Sequence, residues 1–251
     1  MNRLSVVLAT YNEEKKLDEC LKSIYDIAWE IVVVDGTSKD KTVAIAKKYG
    51  AKIFITDNPQ NFHINKNKAI DKAVGDWILQ LDADERVTEE LKREIRQAID
   101  KNEQVNGYWI PRKNFFLGRF LKKGGQYPDY TLRLYKKGKG RLPAKDVHEQ
   151  AEVEGKIGYL KNDLLHIRDK NFSIYMDGFN RYTDLMANDL KKRKEGKLLS
   201  FLNFVFLKPV IWFMKAYIRH KGFEDGFPGF IFALFSSLRF PVSYFKYLTN
   251  D

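Results

Sequence analysis

The chain of 251 residues contains one cysteine, Cys20, and lacks two common glycine-rich phosphate-binding motifs. One cysteine cannot form an internal disulfide, so a disulfide-stapled fold is excluded. No GxGxxG follows the first apolar run and no GxxxxGK[ST] occurs, which argues against dinucleotide-binding enzymes and P-loop kinases. No charged leader, apolar core and cleavage site precede Leu4, so we expect a reducing, cytoplasmic location.

Positive charge and aromatic residues are abundant, and both are concentrated toward the C-terminus. The formal net charge of +11 comes from 44 Lys and Arg against 33 Asp and Glu, which indicates an anionic partner. From residue 191 to 251 there are eleven basic and four acidic residues, together with fifteen of the 35 Phe, Tyr and Trp residues. We therefore predict a change of domain between residues 171 and 196.

Short apolar runs alternate with helix-like segments over the first hundred residues. Leu17, Leu21 and Ile24 keep helical spacing, and so do Leu91, Ile95 and Ile99 after Thr88. The alternation predicts an α/β fold with a parallel sheet, in which ligands bind beyond the carboxyl ends of the strands. The candidate strands are Leu4 to Ala9, Glu30 to Val34, Lys52 to Thr56 and Trp77 to Leu81.

The residues directly after three of these strands are polar and acidic. Asp82 and Asp84 lie two apart in LDADE, so both side chains can face one small volume suited to Mg²⁺ or Mn²⁺. A solvated loop with a helix cap is the alternative interpretation. Asp35 could accept hydrogen bonds from a base or ribose, or it could be a turn residue. Tyr11 offers a ring for stacking and Glu13 a further acceptor.

Several segments together carry a resemblance to a known family. The series LSVVLATYNEE, EIVVVDGTSKDKT and WILQLDADE resembles the nucleotide-sugar-binding half of family 2 glycosyltransferases, which have the GT-A fold. The later segments GYWIPRKNFFLG, YPDYTLRLY, DVHE and RHKGFEDGFPGF are similar to the lipopolysaccharide-core β-1,4-glucosyltransferase subgroup. The resemblance implies a GT-A type α/β fold: a mostly parallel, Rossmann-like sheet with flanking helices.

The domain division that the resemblance implies has a catalytic domain followed by a helical region. Residues 1–170 form the GT-A domain, with a nucleotide-sugar-binding half at 1–105 and an acceptor half at 106–170. Residues 171–251 form a basic and aromatic region with amphipathic membrane-surface helices.

The resemblance also implies a role for particular residues. The donor would be a UDP-sugar, and Asp82 would bind both its ribose and the metal. The other donor-side residues would be Thr10, Tyr11, Glu13 and Asp35 for the nucleoside, Lys66 for the diphosphate, and Asp84 and His166 for the metal. A structural, hydrogen-bonded His166 is the alternative. An inverting transfer needs a carboxylate base, for which Glu149 is the first candidate and Asp129 the competitor. The acceptor would contact Trp109, Arg133 and His148.

The apolar runs of the C-terminal region, Leu198 to Leu207 and Phe227 to Leu238, are interrupted by Lys208, Pro209 and Arg239. We therefore predict that neither spans a bilayer and that both lie in the interface of an anionic membrane. Packing on the catalytic domain, or homodimer formation, would explain the same faces. The expected location is the inner face of the plasma membrane, as a peripheral protein.

The resulting prediction is a metal-dependent hexosyltransferase that acts on a lipid-linked or lipopolysaccharide-core-type acceptor. Two other classes fit part of the sequence. A sugar nucleotidyltransferase would also use a strand-end carboxylate pair and a metal, but it would need a second phosphate site. A non-catalytic nucleic-acid-binding module would explain the basic tail, but the acidic sheet edge would repel phosphate, so we expect no nucleic-acid partner.

Overall fold

The computed structural model describes residues 1–101, 104–144, 150–169, 171–192 and 197–249. The chain divides into two compact units. The first consists of Met1–Arg112 and Tyr130–His166, and the second of Lys113–Asp129 and Ile167–Asp251. The sequence-based division at residue 170 assigned Lys113–Asp129 to the acceptor half, whereas these contacts group that segment with the C-terminal helices.

The N-terminal part of the first unit alternates strands and helices, as the sequence pattern predicted. The four expected strands are present within one residue of their predicted ends. The strands are β1 Leu4–Thr10, β2 Glu30–Asp35, β3 Lys52–Ile55, β4 Trp77–Leu81 and β5 Glu85–Val87, and the helices are α1 Leu17–Lys22, α2 Thr42–Lys48, α3 His63–Lys72 and α4 Glu89–Asp100.

The strands that follow add antiparallel pairs, so the complete sheet is mixed. They are β6 Val105–Phe116, β7 Arg119–Phe120, β8 Asp129–Lys136, β9 Gly140–Arg141, β10 Glu152–Val153, β11 Lys156–Tyr159 and β12 Leu164–Asp169. The order in the sheet is β3-β2-β1-β4-β8-β6-β12-β5, with β7 and β11 also pairing with β6 and with β9 and β10 forming a separate two-stranded sheet. The first four strands are parallel, whereas β8 runs antiparallel to β4 and β12 antiparallel to β5.

The sheet is covered on both faces, which explains why β1 is mostly apolar, with Val6, Val7 and Leu8 in succession. Successive side chains of a strand point to opposite faces. This alternation is visible in β1, where Val6 belongs to the same apolar cluster as Leu17 of α1 and Leu91 of α4, and Val7 belongs to another cluster with Ile70 of α3. The two apolar layers hold the carboxyl ends of the parallel strands at one edge.

A buried carboxylate joins the other ends of these strands. Glu30 Oε1 accepts hydrogen bonds from Ser5 Oγ at 2.5 Å and from the Val74 N–H at 2.6 Å, and Lys52 Nζ lies 2.7 Å from Oε2. Burial opposes the charge of Glu30, but these three donors together lower its pKa below the ordinary value. The carboxylate therefore contributes to the stability of the sheet in its ionised form.

The second unit is mostly helical. It contains α5 Phe172–Lys192, α6 Lys197–Phe201, a π-helical segment Leu202–Leu207, α7 Lys208–Phe213, a second π-helical segment Met214–Arg219, a 3₁₀ turn Gly222–Asp225 and α8 Gly226–Thr249. Asp225 is buried and accepts hydrogen bonds from the backbone N–H groups of Lys122 (3.0 Å) and Lys123 (2.7 Å). Asp225, one of the two acidic residues of the RHKGFEDGFPGF segment, thus orders a loop of its own unit.

The prediction that Lys208 and Pro209 leave the apolar run too short to span a bilayer was wrong about the length of the helix. The helix continues through Lys208 and Pro209, so Leu198–Arg219 forms one stretch of 22 residues that is long and apolar enough to cross a membrane by length and composition. Pro209 lies where the π-helical segment Leu202–Leu207 meets α7, so the hydrogen-bond pattern changes at the position of its missing N–H. The interruptions in the sequence therefore did not end the helix.

Candidate active site

The carboxyl ends of β1, β2 and β4 lie side by side because β1 pairs in parallel with both neighbours. Thr10 is in register with Asp35, and Thr10 Oγ1 donates to Asp35 Oδ2 at 2.9 Å. The buried Asp35 carboxylate also accepts from Ser38 N (2.7 Å) and Ser38 Oγ (2.6 Å). The predicted nucleoside ligands Thr10 and Asp35 are thus brought together, and Asp35 orients the loop that follows β2.

The loop after β1 lies beside the DADE loop. Tyr11 is 43% exposed, so its ring is accessible. Lys16 Nζ lies 3.6 Å from a carboxylate oxygen of Glu13 and 3.6 Å from one of Asp84. Burial, with the nearby charge of Asp84, raises the pKa of Glu13 although Lys16 opposes the shift. One lysine therefore connects the predicted nucleoside loop to the predicted metal loop.

Asp82, at the end of β4, is held between two buried cations. Lys66 Nζ of α3 lies 2.5 Å from Asp82 Oδ1, and Arg133 Nη2 of β8 lies 2.5 Å from Asp82 Oδ2. Burial opposes the charge of Asp82, but Arg133 and Lys66 hold its pKa well below the usual range. Burial also lowers the pKa of Lys66, despite the attraction of Asp82. Asp82 is therefore ionised and already paired with protein cations.

Glu85 is a member of this cluster that the sequence interpretation did not include. It is fully buried, and its Oε1 accepts from Arg133 Nη2 at 2.9 Å and lies 3.5 Å from Arg112 Nη1. Its Oε2 accepts the backbone N–H of Asp82 at 2.9 Å, which closes the turn around Asp84. Its position at the end of the acidic LDADE segment was the only available signal in the sequence.

Asp84 has different partners, Lys16 and His166. Asp84 and His166 are close because His166 of β12 is in register with Glu85 of β5, and His166 Nε2 lies 3.6 Å from Asp84 Oδ1. Burial opposes the charge of Asp84, but the hydrogen bond and charge of His166, with Lys16, lower the pKa of Asp84 to about 2. Asp84 is therefore a carboxylate at neutral pH.

The arrangement fits a divalent cation that takes part of its coordination from the substrate. Within the described ranges, no group of three or more His, Cys, Asp or Glu side chains forms a ready-made metal cluster. Asp84 and His166 offer one oxygen and one nitrogen in the same place. A cation bound there would complete its shell with diphosphate oxygens and water, as Mg²⁺ commonly does.

The structure places the residues predicted for acceptor binding, and those predicted as the base, in different surroundings. Arg133 is buried against Asp82 and Glu85 in the cluster just described. Trp109 is half-buried on β6. Asp129 belongs to the second unit, where its carboxylate accepts from Asn114 Nδ2 at 3.1 Å. The two other candidates, His148 and Glu149, lie outside the described residues, so their roles stay predictions.

Comparison with known proteins identifies the class of protein that this fold and site belong to. Residues 5–152 match the family model described as glycosyl transferase family 2. The chain belongs to this family. It is therefore a glycosyltransferase, and not the sugar nucleotidyltransferase or nucleic-acid-binding module that the sequence left open.

Two relatives match this chain over most of its length. The chain is 29% identical over 237 residues to the lipopolysaccharide core biosynthesis glycosyltransferase LpsC of Rhizobium meliloti, covering 92% of this chain and 86% of the relative. It is 31% identical over 245 residues to an uncharacterized glycosyltransferase of Rickettsia felis, covering 92% of this chain and 84% of the relative. The chain thus resembles glycosyltransferases over nearly its whole length.

Two solved structures confirm the predicted fold. The mannosyltransferase PcManGT from Pyrobaculum calidifontis, in complex with GDP-Man and Mn²⁺, aligns with a TM-score of 0.56 at 13% identity, covering 100% of this chain and 88% of that one. Residues 1–349 of TarS from S. aureus align with a TM-score of 0.51 at 18% identity, covering 99% and 88%. At such identities the likeness concerns the GT-A fold.

Proposed function

We propose that this glycosyltransferase moves a hexose from a UDP-sugar to a lipid-linked or lipopolysaccharide-core-type glycan, with inversion at the sugar carbon. The observation that carries the proposal is the convergence of two loops on Lys16, which lies 3.6 Å from both Glu13 and Asp84. This edge of the sheet presents an accessible ring, ionised carboxylates and buried cations. The similarity to LpsC supports an acceptor of the lipopolysaccharide-core type.

The donor half of the proposal assigns the nucleoside to the loops after β1 and β2. The exposed ring of Tyr11 can stack on a base. Thr10, Glu13 and Asp35 would contact the ribose or base, with the Thr10 to Asp35 hydrogen bond of 2.9 Å keeping the two loops in register. Lys66 lies against Asp82, where it can share its charge with the diphosphate.

The metal half of the proposal assigns a divalent cation, Mn²⁺ or Mg²⁺, to the DADE loop. Asp84 and His166 would be its protein ligands. Asp82, which the sequence interpretation also placed on the metal, is held by Lys66 and Arg133 at 2.5 Å each, and would contact ribose or metal from that fixed position. The cation would neutralise the charge that develops on the departing diphosphate.

The base that takes the proton from the acceptor hydroxyl is proposed to be Glu149, with Asp129 as the alternative. An ionised carboxylate at neutral pH accepts a proton as the hydroxyl becomes nucleophilic. Donor binding precedes the proton transfer. Variants of the metal ligands should therefore weaken donor binding, whereas variants of the base should slow turnover and leave donor binding unchanged.

The test measures donor binding and turnover separately. A panel of UDP- and GDP-sugars is titrated with and without Mn²⁺ against the native chain and Asp84→Asn, with Asp71→Asn as the control because that residue forms an exposed ion pair. We expect Asp84→Asn alone to lose metal-dependent donor binding. Native-like, Mn²⁺-dependent affinity in Asp84→Asn would contradict the metal assignment.

The base is tested by single-turnover kinetics on Glu149→Gln and Asp129→Asn. We expect Glu149→Gln to bind the donor normally and to lose turnover by roughly 10²–10⁴-fold, the usual contribution of a general base. If Glu149→Gln turns over normally while Asp129→Asn does not, the assignment passes to Asp129.

The C-terminal region is proposed to hold the enzyme on the inner face of the plasma membrane. Along the helix Leu198–Arg219, apolar side chains recur at every fourth residue, each at least 49% exposed: Leu198, Leu202, Phe206, Val210, Met214 and Ile218. A π-helical turn holds more residues than the roughly 3.6 of an α-helical turn, so alternating the two raises the mean period toward four. The six side chains therefore form one straight apolar stripe.

A matched pair of variants tests the membrane assignment. Val210→Lys places a charge on the stripe, whereas Val74→Lys makes the same change at an exposed valine of the first unit. We expect only Val210→Lys to reduce co-sedimentation with vesicles of phosphatidylglycerol and phosphatidylethanolamine. Equal sedimentation of both variants would contradict the proposal. If the native chain forms a dimer without lipid and Val210→Lys disrupts that dimer, the stripe is a subunit interface instead.

A further inference from the structure

Three aromatic side chains of the first unit form a cluster on the strands that follow the DADE loop. Tyr159 of β11 is in register with Trp109 of β6, and their ring centroids lie 6.5 Å apart with planes inclined by 22°. The ring of Tyr130, on β8, meets Tyr159 edge to face at 5.2 Å and 85°. We call Trp109, Tyr130 and Tyr159 the aromatic platform.

The platform is exposed, although its rings are large. Tyr159 is 63% exposed and Tyr130 40% exposed. A contiguous patch of exposed rings often marks a binding surface, because the rings would otherwise be buried with apolar neighbours. Sheet packing explains the buried Leu132 and Leu134 and the half-buried Trp109, which packs against the core. It does not explain the exposure of Tyr130 and Tyr159.

The polar atoms of the three rings are also available for hydrogen bonds with a ligand. Among the residues that the structure describes, none forms a hydrogen bond with the hydroxyl of Tyr130, the hydroxyl of Tyr159 or the indole N–H of Trp109. The surface therefore combines flat apolar faces with donors and acceptors at their rims. A pyranose ring has the complementary character, since its C–H face is apolar and its hydroxyl groups lie at the edge.

The platform shares strand β8 with a residue of the donor cluster. Tyr130 precedes Arg133 by three residues on β8, which corresponds to about 10 Å of extended chain. Arg133 contacts Asp82 of the donor cluster at 2.5 Å. Gln150, which directly follows the proposed base Glu149 in sequence, accepts hydrogen bonds from Thr131 Oγ1 (3.1 Å) and from the N–H of Leu132 (3.3 Å). The acceptor glycan would pass this strand.

We propose that the aromatic platform binds a sugar ring of the acceptor glycan, one or two units from the hydroxyl that is glycosylated. The proposal rests on the glycosyl transfer proposed above and deepens it, because it assigns acceptor recognition to Tyr130 and Tyr159 as well as to Trp109. Stacking supplies affinity for an extended glycan, whereas the donor cluster holds the nucleotide-sugar. The platform is thus an acceptor subsite and takes no part in proton transfer or metal binding.

The test uses the full chain and core oligosaccharide released from lipopolysaccharide by mild acid. Tyr159→Ala and Tyr130→Ala are compared with Tyr25→Ala, a matched control in the same unit that is 60% exposed and also makes an edge-to-face contact, with Tyr49. The measurements are oligosaccharide titration without donor, followed by Trp fluorescence, and the acceptor KM, kcat and donor affinity. Circular dichroism and thermal unfolding verify the fold of each variant.

We expect Tyr159→Ala to weaken oligosaccharide binding and raise the acceptor KM about three- to tenfold, the factor expected for losing one aromatic contact. Donor affinity and kcat should stay within about twofold of native, and Tyr159→Trp should restore binding. Tyr25→Ala should change none of these quantities.

The outcomes separate the platform from the proposed function. Tyr159-dependent oligosaccharide binding without transfer from any nucleotide-sugar would refute the proposed reaction and leave the platform standing. Transfer with an unchanged acceptor KM in both tyrosine variants would refute the platform. It would also be refuted if the native chain bound no oligosaccharide, or if Tyr159→Ala altered only vesicle binding.

Discussion

The buried guanidinium of Arg133 makes a strong prediction about stability. Its Nη2 contacts Asp82 at 2.5 Å and Glu85 at 2.9 Å, and all three side chains are excluded from most solvent. Arg133→Met preserves the length and apolar stem of the side chain but removes the charge between two carboxylates. Those carboxylates then face each other with less compensation, in a low-dielectric environment.

The size of the effect follows from what each carboxylate retains. Removing one partner of a buried ion pair typically costs about 3–5 kcal/mol. Asp82 keeps Lys66 at 2.5 Å, and Glu85 keeps Arg112 at 3.5 Å, so the two charges stay partly compensated. We therefore expect a loss at the lower end of this range, about 3 kcal/mol in the free energy of unfolding.

Arg141→Met is the matched control. Arg141 forms a two-contact pair with Asp71 at 2.7 and 3.2 Å, but both side chains are more than half exposed. Such pairs contribute about 1 kcal/mol or less. The assay is urea unfolding of both variants, followed by Trp fluorescence under identical conditions. If the two losses agree within about 0.5 kcal/mol, the reasoning from burial is wrong.

Three further predictions concern other parts of the first unit. Thr88→Ala removes the side chain that accepts from Leu91 N–H at 3.2 Å at the start of α4, and should cost about 1 kcal/mol in urea unfolding. Glu30→Gln should cost about 2 kcal/mol at neutral pH, since a buried carboxylate bonded to Lys52 is lost. Because the folded-state pKa of Glu30 is lowered, its stabilisation is present above the unfolded pKa and is lost as pH falls through the folded pKa. The difference in the free energy of unfolding between Glu30→Gln and the native chain should therefore shrink below about pH 4. A difference that stays constant with pH would contradict this. Burial raises the pKa of the Cys20 thiol, so native protein should resist a thiol reagent that labels the urea-unfolded chain at once; rapid labelling without urea would show that α1 opens readily.

The local pattern of the sequence was sufficient for the parallel half of the fold. Short apolar runs predicted β1, β2 and β4, and parallel pairing then required their carboxyl ends to meet. For this reason the proximity of Thr10 and Asp35, 2.9 Å between oxygens, could be anticipated. The acidic DADE loop followed from the same rule.

The antiparallel half depends on pairing between distant segments, which periodicity does not reveal. Arg133 was assigned to the acceptor, but β8 lies beside β4 with Leu79 opposite Leu134, and this register brings Arg133 to Asp82. Lys66 was predicted to contact the diphosphate, but the sequence did not show that it pairs with Asp82. It is buried because α3 packs on the sheet next to the same carboxylate.

Tyr159 was missed for a similar reason. Nothing in KIGYLK distinguishes a ring that stays accessible from one that packs in a core. Its neighbour Trp109 is 50 positions away in sequence, and only the pairing of β11 with β6 brings the two rings together. Trp109 was already predicted to contact the acceptor, but its pairing with Tyr159 is visible only in the assembled sheet.

The two π-helical segments give the C-terminal helix a tolerance to changes in length. Each wide turn contains a residue beyond what regular α-helical winding needs. Deleting one residue within Leu202–Leu207 can therefore be absorbed by tightening that turn, and the side chains downstream keep their orientation. A deletion within the regular turns of α7 would instead rotate everything after it by about 100°. If the first deletion retains vesicle binding and the second loses it, the π-helical turn absorbs the loss of one residue.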